Sequence, residues 1–178
     1  MRSNLYRTRS NLSFRPGLPK ARSEIVLSGY WTETFDGEPF LLFNNGEENR
    51  ILGFSTPQLM TLLCDAPAVY MDGTFRVVPR LFLQLYTLHG FQRKQMIPFA
   101  YFLLPDKRKK TYRRMFKLIR NFAMSVGKNF DPPTFQLDFE IAVLKAIRRL
   151  PNSDSQRLLL SFCTKSTAQN PGTRSEDD

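Results

Sequence analysis

Two aspartates close apolar runs: Asp72 ends the apolar part of 68-AVYMDGTF-75, and Asp138 ends 134-TFQLD-138, 66 residues later (138 − 72). Carboxylates at the ends of neighbouring strands are what a hard divalent cation such as Mg²⁺ takes, together with water and substrate phosphate. Cations held that way activate a water or a 3′-hydroxyl and stabilise the leaving oxygen of a phosphodiester. A third carboxylate is needed to hold two such ions. Each acid also has a plainer reading. Asp72-Gly73 is a hairpin signal, Asp138 can N-cap the helix that follows, and Glu140 would face that helix's dipole in its first turn. His89 reads as a strand-end residue before it reads as a ligand. A second set is basic. Arg108, Lys109, Lys110, Arg113, Arg114, Lys117 and Arg120 crowd one predicted helix and its start, where they could hold phosphates. The run 107-KRKK-110 reads equally as a solvated face or an import signal.

Positioning such groups takes one domain, and 178 residues are enough for one with a real core. Lys and Arg number 26 against 16 Asp and Glu, a net charge of +10, which favours a polyanionic partner, nucleic acid foremost. Two cysteines, Cys64 and Cys163, with the single histidine His89, exclude a disulfide framework and zinc-finger spacing. No apolar run approaches the roughly 20 residues of a membrane span, so no membrane partner is expected. Residues 1–23 carry six cations and no acid. They are expected to form a disordered basic arm, with a mitochondrial presequence as the alternative.

Residues 24–67 read as a β-rich lead-in that ends in a short helix, opened by Thr56-Pro57 as N-cap and first turn. Strands are predicted over 69–75, 81–91 and 96–104. The last is apolar almost throughout, which predicts burial on both faces. A basic helix follows over 110–125 with Met115, Phe116, Ile119 and Phe122 as its buried stripe. Then come a strand over 134–137 and a helix over 139–150, with Ile141, Leu144 and Ala146 or Ile147 turned inward. Three antiparallel strands, a crossover helix and a strand parallel to the first make a mixed α/β sheet, the opening of an RNase H-like domain.

The words 71-MDGTF-75, 82-FLQLYTLHGF-91, 97-IPFAYFLLPDK-107, 111-TYRRMF-116 and 138-DFEIAVLKAI-147 stand in an order and spacing that resembles the transposase domain of Mutator-like elements, the MULE transposases. The resemblance covers about 68–150, and 50-RILGFSTPQLMTLL-63 resembles the segment that precedes this core in animal members. It implies an RNase H-like catalytic core, Mg²⁺ or Mn²⁺ as cofactor, DNA as partner and the nucleus as location. It also makes Asp72 and Asp138 the first two acids of a DDE triad, as both catalytic residues and metal ligands.

The resemblance stops short of the third acid. The family continues with a strand resembling Gly-Cys-Phe-Phe-His-Phe, a long helical region and a helix bearing the catalytic Glu, whereas 151–178 reads as a divergent, mostly disordered tail. A permitted codon choice for 157-RLLLSFCTK-165, read one nucleotide later, encodes that missing strand. A frameshift near 153–156 is therefore expected, with Leu158, Leu159, Leu160 and Phe162 as a substitute strand. The expectation is a truncated transposase-derived protein: inactive in transposition, weak in metal binding, retaining nonspecific DNA affinity and open to self-association through the incomplete sheet. Two alternatives stand beside it. One is a domesticated DNA- or protein-binding module; the other is a metal-dependent nuclease completed by another carboxylate such as Glu140 or one from a partner chain.

Overall fold

A computed structural model describes residues 18–138, 140–150 and 157–161. The elements in chain order are β1 (Leu41–Asn45), β2 (Ile51–Phe54), α1 (Pro57–Asp65), β3 (Ala68–Thr74), β4 (Gln84–Gln92), β5 (Gln95–Leu104), α2 (Lys109–Ser125), β6 (Thr134–Asp138), α3 (Ile141–Ile147) and β7 (Arg157–Ser161). The seven strands form one mixed sheet in the order β1-β2-β5-β4-β3-β6-β7. The joins from β1 through to β3 are antiparallel, and β6 lies parallel to both β3 and β7. This is the α/β architecture of a partial RNase H-like domain, flanked by two strands of the lead-in.

Period-two alternation decides which side of the sheet is dry. Val69 and Met71 of β3, Tyr86 and Leu88 of β4, Phe102 and Leu104 of β5, and Phe135 and Leu137 of β6 are all buried in one cluster. The helices cover that side: α1 packs on β4 and β5 and touches α2, and α2 packs on α3. Ring contacts fix α2 in place, Tyr112 against Tyr86 at 5.3 Å and Phe116 against Phe135 at 6.2 Å between centroids. Met115, Phe116 and Ile119 form its buried stripe, as their spacing predicts, with Phe122 half-buried.

Several expectations are corrected. β5 is dry on one face only: Phe99, Ala100, Phe102 and Leu104 are buried, Ile97, Tyr101 and Leu103 are half-buried, and Met96 is exposed. The reason is that the three helices lie on the same side. Strand β4 starts at Gln84 and not at Leu81, because 79–82 closes a turn in which the Phe82 N–H donates to the Pro79 carbonyl. In α3 the inward stripe is Val143, Ala146 and Ile147, and Ile141 is exposed. Spacing of three and four sets that stripe, which leaves Ile141, two places before Val143, on the far side. The lead-in is less strand-like than expected up to residue 40, with 3₁₀ turns at Arg22–Glu24 and Gly29–Trp31 and a single Glu33–Pro39 bridge. It then joins the main sheet, through a strand at Ile51–Phe54 that the sequence did not announce.

Thr56 caps α1 as expected, its hydroxyl accepting from the Leu59 N–H at 3.2 Å with Pro57 in the first turn. Arg50, only 8% exposed, fastens the lead-in: its guanidinium donates to the carbonyls of Gly46 (3.1 Å), Ile25 (2.5 Å) and Ser23 (3.3 Å). β7 occupies the place foreseen for a substitute strand. Leu158 and Leu160 pack against the core, and Leu159 is exposed. Phe162, Cys163, most of the basic arm and the rest of the tail lie outside the described residues. Among the described residues, no helix is long and apolar enough to cross a membrane.

Candidate functional site

The β3–β6 pairing brings the two aspartates together. Its register runs Ala68↔Thr134, Val69↔Phe135, Tyr70↔Gln136 and Met71↔Leu137. Asp72 and Asp138 are the next residue on each strand, and both are exposed. Paired strands lie about 4.8 Å apart, and matched positions on parallel strands present their side chains on the same side. Asp72 also pairs with Thr87 of β4, whose hydroxyl donates to the Asp72 carbonyl at 3.3 Å, and Asp138 pairs with Ser161 of β7. The alternation that buries Val69, Met71, Phe135 and Leu137 under the helices turns the two acids toward the open face.

Below them lies a buried polar chain that the sequence did not reveal. Gln84, fully buried, donates from Nε2 to the Tyr112 hydroxyl at 2.5 Å, and that hydroxyl donates to Glu140 Oε1 at 2.6 Å. Glu140 sits at the N-cap of α3, its N–H donating to the Asp138 carbonyl at 2.6 Å. Gln84 Oε1 is buried with no hydrogen-bond partner, and a Cβ added at Gly73 would stand 3.1 Å from it. The Tyr86 phenol is pushed well above its ordinary range, first by burial and then by Tyr112, Glu140, Asp72 and Asp138. Tyr112 is also pushed far up, chiefly by burial. Both shifts favour the protonated phenol, and for Tyr112 that is the form that donates to Glu140. His89, facing Tyr70 across β3–β4, is pushed below its usual value by burial, against a smaller pull from Asp72. It lies inside β4 and not at its end, where the sequence reading put it.

Two carboxylates on one open face suit an oxygen-seeking divalent cation. Among the described residues, however, no three of His, Cys, Asp and Glu converge to hold one. Glu140 is close in sequence but engaged by Tyr112. The donor set is thus partial among the described residues.

The predicted phosphate contacts divide. Arg108 precedes α2 and is tied to Asp106, with Nε at 2.8 Å and Nη2 at 2.5 Å from Oδ2. Arg114 lines a groove between α2 and α3, but its guanidinium is engaged there, donating to the Asn49 carbonyl, and its Nε is buried without a partner among the described residues. Lys110, Arg113, Lys117 and Arg120 line the same groove. Lys109 lies half-buried in the first turn of α2. Lys107, outside the predicted set, lies 3.8 Å over the ring of Phe75, just beyond the acid end of β3.

A family model described as the MULE transposase domain matches residues 68–163. The matched stretch holds both aspartates and continues through β7, beyond the words that carried the resemblance. No curated protein and no solved structure matches this chain.

Proposed function

Because the chain belongs to the MULE transposase family, we propose that its open-face acid pair is the remnant of a phosphodiester-processing site and that the domain keeps an affinity for DNA. The observation that carries this is the in-register parallel pairing of β3 and β6, which ends on Asp72 and Asp138. MULE transposases are generally metal-dependent. Asp72 and Asp138 are the residues that would hold a Mg²⁺ or Mn²⁺, and such an ion, when bound, supplies charge for activating an attacking hydroxyl and stabilising a leaving oxygen. The protein's own part is positional. The buried strand pair fixes the two carboxylates, Tyr112 holds Glu140, and nearby cations neutralise substrate phosphates.

With two carboxylates engaged and Glu140 bound to Tyr112, these residues alone do not perform strand transfer. Their metal affinity is weak, as two-ligand sites are. Among the described residues β7 is an edge strand, which offers a route to self-association, and an affinity for DNA fits a nuclear location, with the mitochondrion as the alternative. One observation favours a second reading: Glu140 lies two residues after Asp138, and were it released from Tyr112 and turned toward the open face it would supply a third carboxylate and so a nuclease.

The test is a supercoiled-plasmid nicking assay with the full chain in Mn²⁺, alongside Asp72→Ala and Asp138→Ala. DNA retention with equal background nicking in all three supports the inactive remnant. Nicking by wild type that disappears in either variant rejects it and establishes the nuclease. Mn²⁺ titration completes the test, since binding untouched by both substitutions would show that the acid pair is not a metal site.

A further inference from the structure

The groove between α2 and α3 gives the DNA affinity a place. Lys110, Arg113, Lys117 and Arg120 follow one another at spacings of three, four and three, so they form one stripe down α2. At 1.5 Å per residue the stripe is about 15 Å long. Arg149, at the end of α3, adds a cation from the opposite wall, and Met124, Ala146 and Leu150 complete the lower end. Among the described residues no carboxylate lines the groove, which has a volume of about 560 Å³. Elsewhere, cations near α2 have anions: Arg108 has Asp106, and Lys128 at the end of the helix has Asp65 at 2.8 Å. Like charges three and four residues apart repel, so an uncompensated stripe is the mark of a surface completed by an external polyanion.

The chain direction orients that stripe. β5 ends and α2 begins at the same end of the sheet as Asp72 and Asp138. Lys110 is two residues from Tyr112, whose hydroxyl holds Glu140, while Arg120 and Arg149 lie at the far end. We infer that the α2–α3 groove is a track for one phosphodiester backbone, entered at the acid end and leading away from it along the helical side of the sheet. The cations of the stripe lie along about 15 Å of one helix, so they can follow a single phosphodiester backbone, that of a single strand or one edge of a duplex. A strand in it is separated from the open face by the sheet itself. The groove is thus a second contact surface, distinct from the acid pair. This inference rests on the DNA reading above and assigns that reading to named side chains.

The experiment measures binding of a fluorescent 20-nucleotide single strand and of its duplex, over a range of salt, to the full chain. The variants are Arg113→Glu/Lys117→Glu/Arg120→Glu, Arg149→Glu, Arg2→Glu/Arg7→Glu/Arg9→Glu and Asp72→Asn/Asp138→Asn. Five groove contacts give wild type a log K against log salt slope of roughly −4 to −5, at about 0.9 per phosphate on duplex and slightly less on single strand. The groove triple variant should lose at least tenfold in affinity and about 2.7 of that slope, and Arg149→Glu about 0.9. The arm variant, of equal charge change, should lose less than the groove triple. Equal losses from arm and groove overturn the track and leave only a general charge effect; so does competition by poly-glutamate equal to that of unlabelled DNA at matched charge. Should the triple variant fail to fold by circular dichroism, Arg149→Glu alone decides: an unchanged slope rejects the inference. The Asp72→Asn/Asp138→Asn variant separates the two proposals. Intact DNA binding with lost Mn²⁺ binding supports both, and intact DNA binding with unchanged Mn²⁺ binding sinks only the acid-pair reading.

Discussion

The acid end of β3–β6 and the α2–α3 groove are both charged regions, and they are built by opposite means. At the acid end the proposed metal-holding role would rest on two carboxylates at one point. Their place is set by residues that never touch solvent, Val69 and Met71 on one strand, Phe135 and Leu137 on the other, each no more than 4% exposed. In the groove the proposed DNA contact would rest on a field. Its cations stand on a helix whose buried stripe points elsewhere, and any one of them can move without disturbing the rest. A point site is therefore vulnerable through its core, whereas a field is vulnerable only through its sum.

The sharpest way to break that contrast is Phe135→Ala. Removing a fully buried ring that packs on Phe116 and Phe130 should cost about 3–5 kcal/mol. Chemical denaturation would read the loss, and Mn²⁺ affinity should fall with it. DNA affinity per folded molecule, corrected for the folded fraction, should hold. If DNA binding falls equally, the two regions are not separately built.

Tyr112→Phe should have a middle-sized effect. It removes the group that accepts from Gln84 and donates to Glu140, leaving Gln84 buried with neither end bonded, at about 1–3 kcal/mol. It should also free Glu140, so Mn²⁺ binding to the variant should tighten while stability falls. Unchanged Mn²⁺ binding would separate Glu140 from the acid end.

The smallest effect concerns the start of α2, which connects the two regions. Burial pushes the Asp106 carboxyl up, but hydrogen bonds from the Arg108 side chain, Thr111 and the Arg108 N–H outweigh it and hold the group below its usual value of 3.8. A depressed value in the folded state means stability that is present above pH 3.8 and lost as the pH falls below it. Asp106→Asn should therefore cost about 1 kcal/mol or less at pH 6. The gap from wild type should close near pH 3, as thermal melts would show. A gap that persists at pH 3 would assign the role to shape rather than charge.

Much of this was legible in the sequence, for a physical reason. Apolar runs ending on Asp72 and Asp138, with a crossover helix between them, leave few ways to pair strands, and right-handed crossover puts the first and last side by side. The stripe of Met115, Phe116 and Ile119 was legible because a helix repeats its buried face locally. What escaped notice depends on contacts across long separations. Gln84 looks like a surface residue until Tyr112, 28 residues on, gives it a partner. Arg149 joins the groove only because α3 lies against α2. The half-wet face of β5 follows from the placement of three helices on one side, which no run of apolar letters can encode.

The Arg50 fastening has a consequence for the start of the chain. A guanidinium keeps all its donors at any pH a cell meets, so its hold on the Ser23 and Ile25 carbonyls is not a titrating contact. Where Asp106 answers to protons, this strap does not. It anchors the chain around Ser23–Ile25 to the body of the protein under acid and alkaline conditions alike.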